Sequence, residues 1–463
     1  MKNAFALIAG ISVLALAGCG SSSSSAGGTA STSPAAGGTD ANGATEAPTG
    51  TAKLTGDLEV AAFKGGFGID FYQAVGKDLE AKNPGLKIKV WGDPQVADAL
   101  RPRLVAGTPP DLMYPGWKLD VWGLAEEGQL ALLDTALDSP DSDGKGKWRD
   151  AFDPAILKLG QNGGKQYMLP YFFNVWGWWY NPDLFAKNGW AVPKTFDELL
   201  ALCEKIKAKG MAPVTFQGKY PYYMLQGMLL PWAQDIGGIQ TVKDLQNLVP
   251  GAWKSPAVLK AAQMIKQLKD KGDFESGAVA LSHTESQTDF LLNKAAMIPC
   301  GTWLYSEMKS VMPAGAKMQF MQPPAVAGGT GDPTSVIIDI EPWMVPSASK
   351  HQDGAVAFYK YMTSLPIAKK FVEEKGSLTA IKGSDEGVKL PDTLVEPAKT
   401  VKSAKTIWSY MALQWYKAME TEIENALTSM LNGQITPEQF CDRAEAAATK
   451  VREDSSITKH KVD

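Results

Sequence analysis

Leu58-Glu59-Val60-Ala61-Ala62-Phe63, then Lys64-Gly65-Gly66-Phe67-Gly68, then a helical pattern over residues 71–82 decides the fold. Residues 58–63 read as a strand, and the glycines turn the chain into the helix. Leu86-Lys87-Ile88-Lys89-Val90 alternates with period two and reads as the next strand. A helix over residues 96–106 ends at Gly107, a residue suited to the left-handed position after a helix. Asp111-Leu112-Met113-Tyr114 is a short third strand. Strands alternating with helices in this way predict a parallel α/β layer. The Gly-rich turn has neither the phosphate-loop nor the dinucleotide-binding spacing, so it is read only as a backbone turn close to a ligand.

Downstream the chain is rich in helices with legible starts. Thr195 with Glu198, Ser282 with Glu285, and Thr436 with Gln439 have capping-box spacing. Ser255-Pro256 starts a helix that runs to Gly272, with Val258, Ala261, Ala262, Ile265 and Leu268 on one face. Ala295-Ala296-Met297-Ile298-Pro299 reads as a buried strand.

Upstream, Lys2 and an apolar run over residues 5–17 form a secretion signal too short to span a bilayer. The run ends Leu16-Ala17-Gly18-Cys19, which resembles the lipobox of bacterial lipoproteins. That resemblance implies removal of residues 1–18 and a lipid on Cys19. Residues 20–52 contain no aromatic residue and no Val, Ile, Leu or Met. Such a segment buries no core, so residues 19–52 are expected to be a flexible tether with an r.m.s. span of about 30 Å. No later apolar stretch has transmembrane length.

The 463 residues carry 46 basic and 50 acidic side chains, a net charge of −4, which argues against phosphate-driven nucleic-acid binding. There are 14 Trp but only 3 His. So few His argue against multi-His metal or acid–base chemistry, and no motif supports a nucleophilic triad around His283, which opens a helix. His351 and His460 lie in Lys-rich surroundings that read as solvated surface. Cys203, Cys300 and Cys441 form no CxxC pair, which disfavours zinc and thioredoxin-like chemistry, and Cys203 reads as a buried small hydrophobe. Asp138-Ser139-Pro140-Asp141-Ser142-Asp143-Gly144 lacks calcium-loop spacing and reads as a solvated turn. Neither cofactor nor metal is expected.

Thr108-Pro109-Pro110-Asp111-Leu112, Tyr180-Asn181-Pro182-Asp183-Leu184-Phe185, and residues 298–303 follow the signal and tether in order. Together they resemble the extracellular sugar-binding proteins that feed ABC importers. Residues 194–203, 218–223, 251–258 and 283–288 are similar to the actinobacterial binding lipoproteins for N-acetylglucosamine and diacetylchitobiose. Cys300 departs from that pattern, where a polar or small residue is expected. The resemblance implies a two-lobed α/β fold of the type II, maltose-binding-protein-like class, with a hinge. It implies lobe 1 over residues 53–172, lobe 2 over 173–325, a return to lobe 1 over 326–383, and closing lobe 2 helices over 384–463. The partners implied are a mono- or disaccharide and membrane permease subunits. The chain would be a monomer held at the outer face of the membrane by its lipid alone.

The resemblance also nominates a site. Flat rings cover the apolar faces of a pyranose, and polar side chains bind its hydroxyl rim. Trp303 matches the family's sugar-stacking Trp, and Tyr220, Tyr222 and Tyr223 match its second aromatic wall, with one of them packing on Trp232. Glu307 either reaches the same cleft or caps a helix. Asp111 either faces the cleft, with Tyr114 and Trp117 beyond it, or caps local backbone. Trp176, Glu341 and Trp343 lie on the crossings, as cleft floor or as core. Lys64 either donates to a hydroxyl or is solvated. The readings that compete are a binder of maltodextrin, xylo- or cello-oligosaccharide, a secreted glycoside hydrolase, and a surface lectin. A hydrolase needs two opposed carboxylates, and no motif nominates such a pair.

Overall fold

In the computed structural model, residues 43–51 and 53–462 are described. The signal sequence, Cys19 and most of the tether lie outside them.

The N-terminal layer forms as its pattern predicts. Strand β1 (Gly56–Phe63) leads into helix α1 (Asp70–Lys82), strand β2 (Leu86–Asp93), helix α2 (Val96–Val105) and strand β3 (Leu112–Tyr114). The sheet order is β2-β1-β3, all parallel, with Leu58 opposite Ile88 and Val60 opposite both Val90 and Leu112. Burial of Leu58, Val60, Ala61 and Ala62 explains why this central strand is apolar nearly throughout.

The second sheet is organised by strand β4 (Leu169–Tyr180), whose twelve residues are all buried. After it the chain forms helix α3 (Phe196–Lys207), strand β5 (Ala212–Val214), helix α4 (Pro256–Asp270), helix α5 (His283–Leu291), strand β6 (Ala295–Gly301), helix α6 (Leu304–Met308), strand β7 (Gln319–Met321), strand β8 (Val336–Trp343), strand β9 (Leu378–Thr379), strand β10 (Ile407–Trp408) and the closing helix α7 (Pro437–Glu453), among other elements. The sheet order is β10-β8-β4-β6-β5, with β7 and β9 also on β4. The first half of β4 pairs with β8 and β9, and the half from Trp176 to Tyr180 pairs with β6 and β7. Trp176, Trp178 and Trp179 are each at most 1% exposed. An indole removes about 150–250 Å² from water, an upper bound of about 4–6 kcal/mol each.

Strand β8 leads into a link between the two sheets. It pairs with β10 at Val336 and Ile337, and just past its end Met344 exchanges backbone hydrogen bonds with Met113 of β3 at 3.0 Å.

Helix starts follow the sequence. Ser282 and Glu285 cap α5 reciprocally, as do Thr436 and Gln439 on α7. At α3 the box is offset: Thr195 accepts from Glu198 N, while Glu198 accepts from Lys194 N at 2.6 Å.

Two expectations need correction. The tether does not reach residue 52 as free chain. Ala44 and Ala47 are buried, Ala47 N donates to Leu132 O at 2.7 Å, and Leu132 N donates to Thr45 O at 2.9 Å. Alanine is small enough for backbone pairing to carry such a segment into the body without large apolar side chains. His460 is not solvated surface but 7% exposed, stacked on Trp415 with ring centroids 4.9 Å apart, with Nε2 2.9 Å from Glu126. His351 is exposed, and Cys203, Cys300 and Cys441 are buried free thiols.

Candidate functional site

The site is built where β6 ends. Trp176 lies opposite Gly301 in the β4–β6 register. The chain then turns through Thr302 and Trp303 into α6. The Trp303 ring folds back over Gly301, where a Cβ would fall 1.8 Å from the ring, so only glycine allows that position. Trp303 is half-buried, and its ring meets Trp176 edge-to-face at 4.8 Å and Tyr223 at 5.8 Å.

The second wall is Tyr220-Pro221-Tyr222-Tyr223. Tyr223 is 3% exposed and packs on Trp176 at 5.3 Å, whereas Tyr220 and Tyr222 keep part of their surface in solvent. Tyr222 lies 4.6 Å from Tyr223 and 6.1 Å from Trp176, and Tyr220 lies 5.2 Å from His283. No tyrosine of this loop makes the expected ring contact with Trp232, whose ring packs on Phe196 and Trp178 instead. A single π-helical turn, Leu225–Leu229, follows and carries Gln226 to the base of the cluster.

Two carboxylates, Glu307 and Asp339, sit at these rings, and a third, Glu341, follows Asp339 two residues on along β8. Glu307, one turn after Trp303, accepts from Gln287 Nε2 at 2.8 Å, and its other oxygen is 3.4 Å from His283 Nε2. Asp339 accepts from Trp176 Nε1 at 2.6 Å and from Gln226 Nε2 at 3.3 Å. Glu341 accepts from Tyr114 Oη at 2.8 Å and Asn174 Nδ2 at 3.0 Å. Burial pushes Asp339 up to about 6 and Glu341 up to about 7, the charge of Asp339 adding to the second shift. From the first sheet, the Gly-rich turn comes against α6: a Cβ on Gly66 would lie 3.1 Å from Glu307 N.

The other nominated residues divide. Trp176, 1% exposed, is a support beneath Trp303 rather than a surface for a ligand. Trp343 is corrected to core: it is 0% exposed, packed against Tyr72 at 4.9 Å and Tyr114 at 5.4 Å. Asp111 takes the capping alternative, accepting from Glu59 N at 2.8 Å and Ser349 Oγ at 2.7 Å, and is 8% exposed. Lys64 is exposed. Trp117 is 58% exposed on a short turn, with the Lys118 ammonium 5.5 Å above its ring. Sequence reasoning missed Asp339, Gln226, Asn174 and Gln287. The two-residue spacing of Asp339 and Glu341 in an otherwise apolar strand, and of Gln287 one turn after His283, were signals. Nothing local marks Gln226.

A separate cavity of about 370 Å³ lies against the N-terminal segment, lined by Pro48, Lys53, Leu54, Lys350, His351 and Asp353 among others. It shares no residue with the aromatic cluster and has no Trp or Tyr wall. Half-exposed rings beside a fixed acceptor suit a ligand with apolar faces and a rim of donors.

A sequence model of the family described as bacterial extracellular solute-binding protein matches residues 68–368. The chain is 29% identical over 427 residues to the diacetylchitobiose binding protein NgcE of Streptomyces coelicolor, covering 89% of this chain and 88% of that protein. It is 26% identical over 320 residues to the multiple sugar-binding protein of Streptococcus mutans, covering 68% and 73%. Among solved structures, one from work on xylan utilisation by Caldanaerobius polysaccharolyticus superposes with a TM-score of 0.71 at 22% identity, covering 84% of this chain and 99% of that one. A chitin oligosaccharide binding protein superposes with a TM-score of 0.70 at 21% identity, covering 86% and 98%. The fold is the two-lobed α/β fold of type II solute-binding proteins.

Proposed function

The chain belongs to the family of bacterial extracellular solute-binding proteins, and from that premise we propose that it captures N-acetylglucosamine or diacetylchitobiose and delivers it to the permease of an ABC importer. The family binds solutes and is not a family of enzymes. Among the described residues no helix is long and apolar enough to cross a membrane.

One observation carries the sugar reading. The Trp303 ring is held by Trp176 and Tyr223 with part of its surface open, one helical turn from the Glu307 carboxylate. The ring covers the C–H face of a pyranose, while Glu307 accepts from a hydroxyl or an acetamido N–H. Tyr220 and Tyr222 extend the wall for a second ring. Leaving a buried polar group of the site without its partner costs about 1–3 kcal/mol, enough to select among sugars. The names of the Streptomyces relative and of the chitin oligosaccharide binder support an N-acetylated sugar.

In this reading lobe 1 comprises residues 53–172 and 326–383, and lobe 2 comprises residues 173–325 and 384–463. Strands β4 and β8 serve as the crossings. The lobes close over the sugar and present the closed form to the permease. Cys19 carries a lipid that holds the monomer at the outer face of the cell membrane.

A thermal-shift series with N-acetylglucosamine, diacetylchitobiose, maltose, cellobiose and xylobiose tests the proposal. Stabilisation by the N-acetylated sugars is expected. Stabilisation by another disaccharide alone would assign the site to that sugar, and no response to any would overturn the sugar reading.

A further inference from the structure

We infer that the C-terminal tail is a latch, anchored on lobe 2 and fastened to lobe 1 through His460, that holds the two lobes together. Helix α7 stops at Glu453, and Asp454 turns the chain, its side chain accepting from Ser456 N at 2.9 Å. The tail that follows is tied to lobe 2 at His460 itself and at Val462. His460 N donates to Tyr416 Oη at 2.8 Å, and the imidazole stacks on Trp415 with ring centroids 4.9 Å apart. Val462 exchanges two hydrogen bonds with the Asn247 amide, at 2.8 and 2.9 Å. So held, the imidazole faces lobe 1. Its Nε2 donates to Glu126 Oε1 at 2.9 Å, and its Nδ1 lies 3.3 Å from Asn162 Oδ1. Trp122, on the same short helix as Glu126 (Val121–Glu126), donates from Nε1 to Gln414 Oε1 at 3.2 Å and meets Trp415 edge-to-face at 6.3 Å.

Every one of these bridging contacts joins residues 53–172 to residues 384–463, so the latch rests on the division into lobes made above. None of the residues belongs to β4 or β8. Rotation about the linking strands displaces any contact that lies off them. Opening therefore parts His460 from Glu126 and Asn162, and Gln414 and Trp415 from Trp122. His460 is 7% exposed and Trp122 1%. Their separation wets the aromatic faces they turn to lobe 2 and lobe 1, and it breaks a hydrogen bond to a carboxylate, which is stronger than one between neutral groups. The latch thus favours the closed form before any ligand arrives. It shares no residue with the cluster of Trp303, Tyr220, Tyr222, Tyr223 and Glu307, so its effect on capture passes through the lobes alone.

The test needs no sugar. In the full chain carrying Cys19→Ser, spin labels at Val105→Cys on α2 of lobe 1 and Leu292→Cys after α5 of lobe 2 report the interlobe distance. Both positions are exposed, while the other cysteines are buried. Without ligand, the ratio of closed to open populations is expected to fall about tenfold in His460→Ala and about tenfold in Glu126→Ala. Glu126→Ala leaves the tail seated on lobe 2, so its effect is not that of an undocked tail. The two substitutions remove one contact from its two sides, so the double variant should fall no more than about twofold below either. An unchanged ratio in either single variant, or falls that multiply in the double variant, would overturn the latch. Diacetylchitobiose separates that failure from failure of the two-lobed reading. If it closes every variant while the ligand-free ratios are all equal, the lobes stand and the latch falls. One fixed distance in every variant, with and without it, overturns both.

Discussion

Gly301 and Trp303 are fitted to one another: the indole lies where a side chain on Gly301 would stand, 1.8 Å from a Cβ built there. The orientation of the principal ring of the site is therefore written into a glycine two residues earlier.

Gly301→Ala should displace that ring. Overpacking of this kind costs about 1–3 kcal/mol of stability. Sugar affinity should fall by at least about tenfold, equivalent to 1.4 kcal/mol. Calorimetric titration checks the affinity, and urea unfolding shows that the variant remains folded.

Asp111→Ala should do the reverse. Its carboxylate joins Glu59 N, in the middle of β1, to Ser349 Oγ. Losing it leaves a backbone donor without its partner, at about 1–3 kcal/mol. The unfolding midpoint should drop while sugar affinity stays at the wild-type value. A loss of affinity with stability intact would return Asp111 to the site.

Glu420 supplies a pH prediction remote from the site. It is 2% exposed, accepts from Tyr410 Oη at 3.0 Å, and burial pushes it up to about 8. Its native value lies above the ordinary 4.5, so the folded state keeps a proton that the unfolded chain releases. Its contribution to stability is fully present below about 4.5 and is lost as pH rises through about 8. Urea unfolding at pH 5 and pH 8 should show the wild type losing stability relative to Glu420→Gln over that interval. Parallel profiles would contradict this.

Much of this molecule is legible in its residues, and the exceptions have physical causes. The apolar strand 58–63 and the alternation in 86–90, with Gly107 ending a helix, specify the parallel first layer because each signal is local. Strand β4 reads poorly by periodicity: buried on both faces, it shows Trp176, Trp178 and Trp179 with no polar alternation to say which face meets a ligand. Trp343 and Asp111 look like site residues on the same grounds as Trp303. Only the fold separates them, sending Trp343 among Tyr72 and Tyr114 and Asp111 to Ser349. His460 reads as surface because its Lys-rich neighbours are surface, while its burial depends on Trp415 and Glu126, far off in sequence. Ala44 and Ala47 carry no pattern at all, since their docking is made by backbone pairing to Leu132.

The most direct test of the central claim is calorimetric titration of Trp303→Ala with the sugar that stabilises the wild type. Trp303 is half-buried at the start of α6, and its removal leaves the buried Trp176 and Tyr223 in place. The expected result is a folded protein with an unfolding profile close to wild type and no measurable heat of binding. Affinity equal to that of the wild type would contradict the account.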